Sequence, residues 1–467
     1  MTKKRKYDGE PFDENSPLGL LLLQKFALGG LSAIEVQQLA GAATASGAKG
    51  WDLGKLSQLG GCGKLPDGTD HMAKKELPLI LPHDWVNSLE ESDMLEAVTA
   101  SSKELKRFWK QQDFDCNLQF LAKKRCAITS KSIKASQLLL GCVPKSCKVA
   151  KTTQPWWDML KDSFQYLAEG RLPNGKKVRR GVLMVIAGDL EWFNQEFKWP
   201  TASSNQCCVY CSADNLHEGG DYPFTDMRGN AKWKETIKGP EEAPHPHPIY
   251  GAPGVSWLTL KLDMLHMVDL GVASHTYGNV IWSIMEDELP GCTKVILQVV
   301  TQSTLFSSTK KLSESRVSVK LCEMHAADNA GKHRLAACKH LAEMYRLSRL
   351  EDYKWKPADQ IKFQKAVEAF LAHYGWLAKH AMEQGQCRWS IVLKHHLCAH
   401  YPSQCKHLAP RLCWCYAPES FMGVMIKIAS ASVHGTKAWK LPQKVVSRFA
   451  FAWHMMQLGL LEVEEDS

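Results

Sequence analysis

No stretch of this sequence is apolar for long enough to cross a bilayer. The longest early apolar segment, LGLLLLQKFALGG, is interrupted by Lys25, whereas a spanning helix needs about 20 apolar residues. The opening MTKKRKYDGE is charged and has no apolar segment behind it, so a secretory signal is not expected. The chain therefore reads as intracellular, with no membrane partner. A strong charge excess is also lacking: 58 Lys and Arg against 49 Asp and Glu leave +9. That is a mild bias toward anionic partners such as nucleic acid and decides nothing alone. No internal repeat is visible, which argues against a solenoid. No nucleophile motif surrounds Cys398 or Cys413, which argues against a cysteine hydrolase.

Cysteine, by contrast, is abundant. Sixteen are spread over 467 residues, and without a secretory signal they point to reduced thiols and a metal site rather than a disulfide framework. The basic run KKRK (Lys3 to Lys6) reads either as a nuclear address or as a solvated tail. Length alone suggests two or three units at ~100–200 residues each.

Residues 1–75 are rich in Gly, Ala and Ser and are expected to be a low-complexity, largely disordered segment. A globular region begins at ELPLILPHDW. An amphipathic helix is expected over 94–112, with Leu95, Val98, Leu105 and Trp109 as its apolar positions. In QPWWDMLKDSFQYLAEGRLP, residues Trp157, Leu160, Phe164 and Leu167 share one helical face, and Gly170 and Pro173 end it. RRGVLMVIAGD is a short continuous apolar run, the pattern of a buried and parallel strand. Asp189 closes it, at the C-terminal end where open α/β sheets place their chemistry. Residues 212–250 read as a loop, 331–385 as helical with Lys and Arg on the polar faces, and SIVLKHHLCAHYP and ESFMGVMIKIASASVHG as two further helices.

Four local patterns carry chemistry. Cys208 and Cys211 form a Cys-x-x-Cys turn beside Cys207, able to present two thiolates to one tetrahedral Zn²⁺ or simply to bury two thiols. KHHLCAH supplies His395, His396 and His400. His396 and His400 lie at i and i+4, on one helix face, and complete a Cys₂His₂ set. The alternative is a surface helix rich in His. Asp263 and His266, at i and i+3 in DMLHM, are metal ligands or a capping pair that fixes a helix. Asp189 is the best carboxylate for Mg²⁺, and Glu419, near the start of an apolar helix, is either a second one or a first-turn acid favoured by the helix dipole.

Taken in order, GDLEWFNQEFKWPTASSNQCCVYC, LDMLHMVDLGV, LKHHLCAHYP and CYAPESFMG resemble the DDE transposases of the CACTA, Plavaka and Kyakuja-Dileera-Zisupton type. The recombinase that rearranges antigen-receptor genes shares the arrangement of Asp, Cys-x-x-Cys, paired His and Glu. The resemblance covers roughly residues 76–460. It implies an α/β fold, an RNase H-like mixed sheet with helices, interrupted by a mostly helical insertion. Residues 76–211 would form the first part of the core, 212–390 the insertion, and 391–467 the C-terminal helices completing the core. Asp189 matches the second catalytic acid and Glu419 the last. Cys208, Cys211, His396 and His400 match the structural zinc set, and Asp263 and His266 the family's D-x-x-H. Nineteen residues separate Asp189 from Cys208, and nineteen separate His400 from Glu419. Zinc is thus implied as structural cofactor, magnesium as cofactor of an active enzyme, DNA as partner and the nucleus as location; self-association into a homo-oligomer stays open.

The sequence departs from the family at the first catalytic Asp. Residues 110–150 hold only Asp113 and Asp115 as nearby candidates, and neither closes an apolar run. Two-metal phosphoryl transfer needs several converging carboxylates, so the expectation is a transposase-derived, zinc-stabilised DNA-binding protein with impaired catalysis. The alternative is a non-enzymatic zinc-containing protein that binds nucleic acid through the basic faces of residues 331–365, or a scaffold without a nucleic-acid role.

Overall fold

The fold is given by a computed structural model that describes residues 57–64, 70–77, 79–91, 138–142, 150–216, 220–239, 242–288, 308–350, 352, 354–406, 408–433, 436 and 440–457. The helix expected at 94–112, and Asp113 and Asp115, lie outside the described residues. So does most of the segment 1–75. Within that segment, however, strands β1 (Ser57–Lys64) and β2 (Asp70–Leu77) pair antiparallel, from Ser57 opposite Leu77 to Lys64 opposite Asp70. The intervening LPDGT carries Pro, Asp and Gly, the turn formers. A Gly-rich composition hides this hairpin because its stability comes from the ladder between strands, not from either strand alone.

Helix α1 (Pro82–Glu91) opens on a proline, whose missing N–H costs nothing in a first turn. It buries Trp85 and Leu89. Helix α2 (Ala150–Glu169) follows the expected period. Trp157, Leu160 and Leu167 are buried, and Phe164 packs against the same core. Gly170 ends it at φ 69°, where an added Cβ would lie 2.7 Å from the Arg180 side chain. Glycine is therefore required there on both counts.

The expected parallel strand exists, but it is short. Strand β3 (Ile186–Ala187) leads directly into helix α3 (Leu190–Phe197) and pairs in parallel with β4 (Leu260–Lys261), Ile186 opposite Leu260 and Ala187 opposite Lys261. The described residues hold only two two-stranded sheets, β1–β2 and β3–β4. A small parallel pair is compatible with an α/β class, but the chain is mostly helical and the wider mixed sheet expected of an RNase H-like core is absent from these residues. The physical reason is that an apolar run reports burial, not the number of strand neighbours. Met184 and Val185, just before β3, pack against Leu408 and Cys413 of the C-terminal region instead of a neighbouring strand.

The described residues of 198–256 are irregular apart from short 3₁₀ turns, anchored by the buried Trp233 and Ile249 and followed by the buried Trp257. After β4 come a π-helical turn (Leu265–Ala273) and helices α4 (Ser274–Glu288), α5 (Ser308–Met324), α6 (Asn329–Ser348) and α7 (Pro357–Glu383). The helical character expected of 212–390 thus begins only at Leu265, and β4 inside that span belongs to the sheet. Helices α8 (Leu393–Gln404), α9 (Tyr416–Val433) and α10 (Leu441–Gln457) follow.

Two apolar clusters organise these parts. The larger joins α2, α3, the irregular segment and α4 to α8. The smaller joins Ile80, Trp85 and Leu89 to Met425 and Ile428 of α9 and to Val445, Val446, Phe449 and Trp453 of α10. Phe370, on α7, is fully buried and touches the rings of Tyr374 and His395. Phe370→Ala should cost about 3–5 kcal/mol as burial and packing are lost together. Thermal or denaturant unfolding checks this; an unchanged midpoint would place Phe370 outside the core.

Candidate metal centre and acidic cluster

The Cys-x-x-Cys turn is shaped by backbone contacts before any side chain is considered. The Cys207 N–H donates to the Ala213 carbonyl, the Tyr210 N–H donates to Cys208 Sγ at 3.3 Å, and the Ser212 N–H donates to Thr236 Oγ1. Both Cys208 and Cys211 side chains thereby face α8. On α8, successive residues step about 100° around the axis, so His396 and His400 share a face while His395 turns away. His395 packs on the rings of Phe370 and Tyr374, and burial pushes its pKa down to about 3.

Cys208, Cys211, His396 and His400 converge. Their ligand atoms all lie within 4.8 Å of one another, and all four residues are buried. Cys208 Sγ is 3.5 Å from His400 Nε2, Cys211 Sγ is 3.3 Å from His396 Nε2, and the two Nε2 atoms are 3.3 Å apart. Zinc bonds of ~2.3 Å to sulfur and ~2.0–2.1 Å to nitrogen, at tetrahedral angles, require edges of ~3.6 Å between S and N and ~3.3–3.4 Å between the nitrogens. These three edges of the six match that polyhedron within about 0.3 Å. The four residues could therefore hold a zinc ion.

The pKa shifts separate the two thiols, holding Cys211 as a thiolate and Cys208 as a thiol in the metal-free set. The hydrogen bond from Cys208 lowers the Cys211 pKa to about 3, with burial opposing and His396 and His400 adding to the effect. Burial raises Cys208 well above the ordinary thiol value and lowers His400, which keeps that imidazole neutral, the ligating form. Two thiolates and one dication would cancel in charge, which resolves the cost of burying this set. Trp233 closes one side, its ring 4.4 Å from His396 and 5.2 Å from His400.

The acids assemble beside this cluster. Asp189 follows β3 and caps α3, accepting the Trp192 N–H at 2.6 Å. Asp263 follows β4 by the same two residues, so the parallel register, continued, sets the two aspartates level. Asp263 is buried. Its Oδ1 accepts the N–H groups of Leu265 (2.8 Å), His266 (3.3 Å) and Cys415 (3.3 Å), and its Oδ2 faces His266 Nδ1 at 2.7 Å. The other ring nitrogen of His266 lies 3.5 Å from Glu419 Oε1, in the first turn of α9. His266 is raised above the usual histidine value, mainly by its hydrogen bond to Asp263; burial opposes, and Glu419 and Asp189 add attraction. His266 is thus the point at which both strand ends and α9 meet. The D-x-x-H pair is a helix cap and a charged contact at once.

Lys394 ties this cluster to α8, which also carries the two His ligands. Its Nζ donates to the Leu270 carbonyl at 3.2 Å, and the fields of Asp263 and Asp189 counter the fall in pKa that burial imposes on it. Gly271 admits this lysine: at φ −117°, ψ −112° the π-helical turn kinks, and an added Cβ would lie 2.8 Å from Lys394 Cδ.

Two participants escaped the motif reading. Cys415 joins Asp263 and His266 as a third metal-competent group. Asp269, buried, accepts the phenol protons of Tyr345 on α6 and of Tyr416 at the start of α9, the latter at 2.5 Å. The signal available was a carboxylate inside the apolar stretch MVDLGV, since an acid in such a run is buried only with partners. Comparison with family models, curated proteins and solved structures gave no match.

Freshly purified, unchelated protein should carry about one zinc per chain. Cys208→Ser or His400→Ala should abolish that stoichiometry in metal analysis and loosen the C-terminal helices; zinc-free wild-type protein would remove the site. For His266 the sign follows from its raised pKa. Its stabilising charge is fully present below the unfolded value of ~6.5 and is lost as pH rises through the higher folded value. The stability difference between wild type and His266→Gln should therefore shrink as pH increases above ~6.5. A difference that grows over that range would contradict the assignment.

Proposed function

We propose that this chain is a transposase-derived, zinc-stabilised DNA-binding protein whose acidic cluster holds a single divalent cation and is impaired in strand transfer. The observation that carries the reading is His266, bonded to Asp263, 3.5 Å from Glu419 and in the field of Asp189, together with a Cys₂His₂ set, in the chain order of the DDE family.

The reason for impairment lies in Asp263. It occupies the place of a third acid, but both its oxygens are engaged, by three backbone N–H groups and the His266 ring. What remains to face a cation is Asp189 and Glu419, since both ring nitrogens of His266 face carboxylates. Two carboxylates suit one Mg²⁺, which keeps several waters. Clamping both the attacking and the leaving oxygen takes two ions ~3.5–4 Å apart. When bound, one such ion would supply charge for a phosphate. The chain's own part is to hold Glu419 through the Tyr416–Asp269 bond and to orient His266 through Asp263.

The DNA surface is argued from charge. On the helices expected to carry it, Arg346, Lys362 and Lys379 pair with acids of their own helix, and Lys339 pairs with Glu323. These exposed pairs are weak and compete poorly with phosphate. The turn GRLPNGKKVRR adds Arg171, Lys176, Lys177, Arg179 and Arg180 just before β3 and Asp189.

Purified chain should bind duplex DNA with an affinity that falls steeply with salt, and should not nick it in Mg²⁺ or Mn²⁺. Nicking that disappears in Asp189→Ala would overturn the impaired reading and leave an active enzyme. Failure to bind DNA at low salt would favour the scaffold alternative.

A further inference from the structure

The seam between α6 and α7 carries a second arrangement of imidazoles, remote in function from the Cys₂His₂ set. His333 on α6 and His373 on α7 face each other with their Nδ1 atoms 2.9 Å apart and their rings inclined at 67°. Each ring rests on a second aromatic ring. His333 stacks on Trp376 at 3.9 Å with the planes within 8°, and His373 stacks on His340 at 5.7 Å within 10°. Trp376 is itself backed by His380 at 4.8 Å. All four histidines are half-buried, so solvent reaches the pair from one side.

We propose that His333 and His373 form a metal site that takes a divalent transition ion of the nickel(II) or copper(II) type and clamps α6 to α7. The geometry selects the ion. Two nitrogens bound at ~2.0–2.1 Å are ~3.3–3.4 Å apart at a tetrahedral angle but ~2.9 Å apart at a right angle. The buried set shows the first spacing, 3.3 Å between His396 and His400, and this seam shows the second, 2.9 Å. Right-angled nitrogen pairs belong to square-planar, tetragonal or octahedral ions, whose other positions water can fill here. Burial lowers both imidazoles below the ordinary histidine value, so both are neutral near pH 7. In the metal-free pair one Nδ1 carries the proton and the other accepts it. On binding, that proton moves to the Nε2 of its own ring, both Nδ1 lone pairs turn to the ion, and no net proton is released.

The test uses full-length, zinc-loaded protein, so that the thiolate site is filled, and titrates it with nickel(II) in a non-chelating buffer. Calorimetry should show one site, and nickel should raise the unfolding temperature, because an ion bound only by the folded chain stabilises it. His333→Gln and His373→Gln should each weaken nickel binding by roughly tenfold or more and remove the thermal shift, whereas His245→Gln, in an exposed loop, should change neither. Equal nickel affinity in the wild type and both seam variants overturns the proposal. A measurement on the unaltered chain guards against misfolded variants: nickel should protect His333 and His373, and not His245, from diethyl pyrocarbonate, read by peptide mass spectrometry. Equal modification with and without nickel overturns the proposal as well.

Discussion

Everything near the acids depends on one long-range contact: two thiols of an irregular loop meeting two imidazoles on α8. Cys208 is 192 residues from His400, and Cys211 is 185 from His396. The loop's backbone hydrogen bonds stay largely within itself, such as those from the Cys207 N–H to the Ala213 carbonyl and from the Lys238 N–H to the Tyr210 carbonyl. Its position comes from buried aromatic anchors such as Trp233 and Trp257 and from whatever joins the four ligand atoms. Buried thiols and imidazoles supply little cohesion alone, since each polar group gives up water. A dication shared among them converts that cost into a crosslink between the segment after β3 and the helix before α9.

From that crosslink the rest follows in sequence. β3 and β4 are two residues long each, too short to be a rigid platform by ladder bonds. Their ends are held instead by side chains: Asp189 caps α3, and Asp263 caps the π-helical turn while bonding the Cys415 N–H that precedes α9. Asp269 then pulls in Tyr416 and Tyr345, fixing the first turn of α9 against α6. Glu419 reaches His266 because its helix has been anchored twice. Asp263 thereby acts as a structural hub, its Oδ1 holding three backbone N–H groups and its Oδ2 facing the His266 ring.

Much of this was legible in the sequence where the cause is local. The period of Trp157, Leu160 and Leu167, the stop at Gly170, the shared face of His396 and His400, and the aspartate closing an apolar run all depend on neighbours within a few residues. The two zinc half-sites were legible as a Cys₂His₂ set from their ligand types, while the fold that brings them together was legible only through family resemblance, because no local rule spans so long a gap. Asp269 stayed hidden since its phenol partners lie 76 and 147 residues away. Among the described residues, Met184 and Val185 are covered by Leu408 and Cys413 between α8 and α9, so this part of the apolar run reports burial and not strand neighbours. The hairpin of β1 and β2 was underread, because its glycines speak against order while its ladder supplies it.

The central claim is that zinc, bound by two sulfurs and two nitrogens, holds the loop to α8. X-ray absorption at the zinc edge of the purified chain tests it most directly. The account predicts two sulfur neighbours at ~2.3 Å and two imidazole nitrogens at ~2.0–2.1 Å, with the sulfur shell reduced to one neighbour in Cys211→Ser. A first shell with no sulfur, or one of four sulfurs, would contradict it.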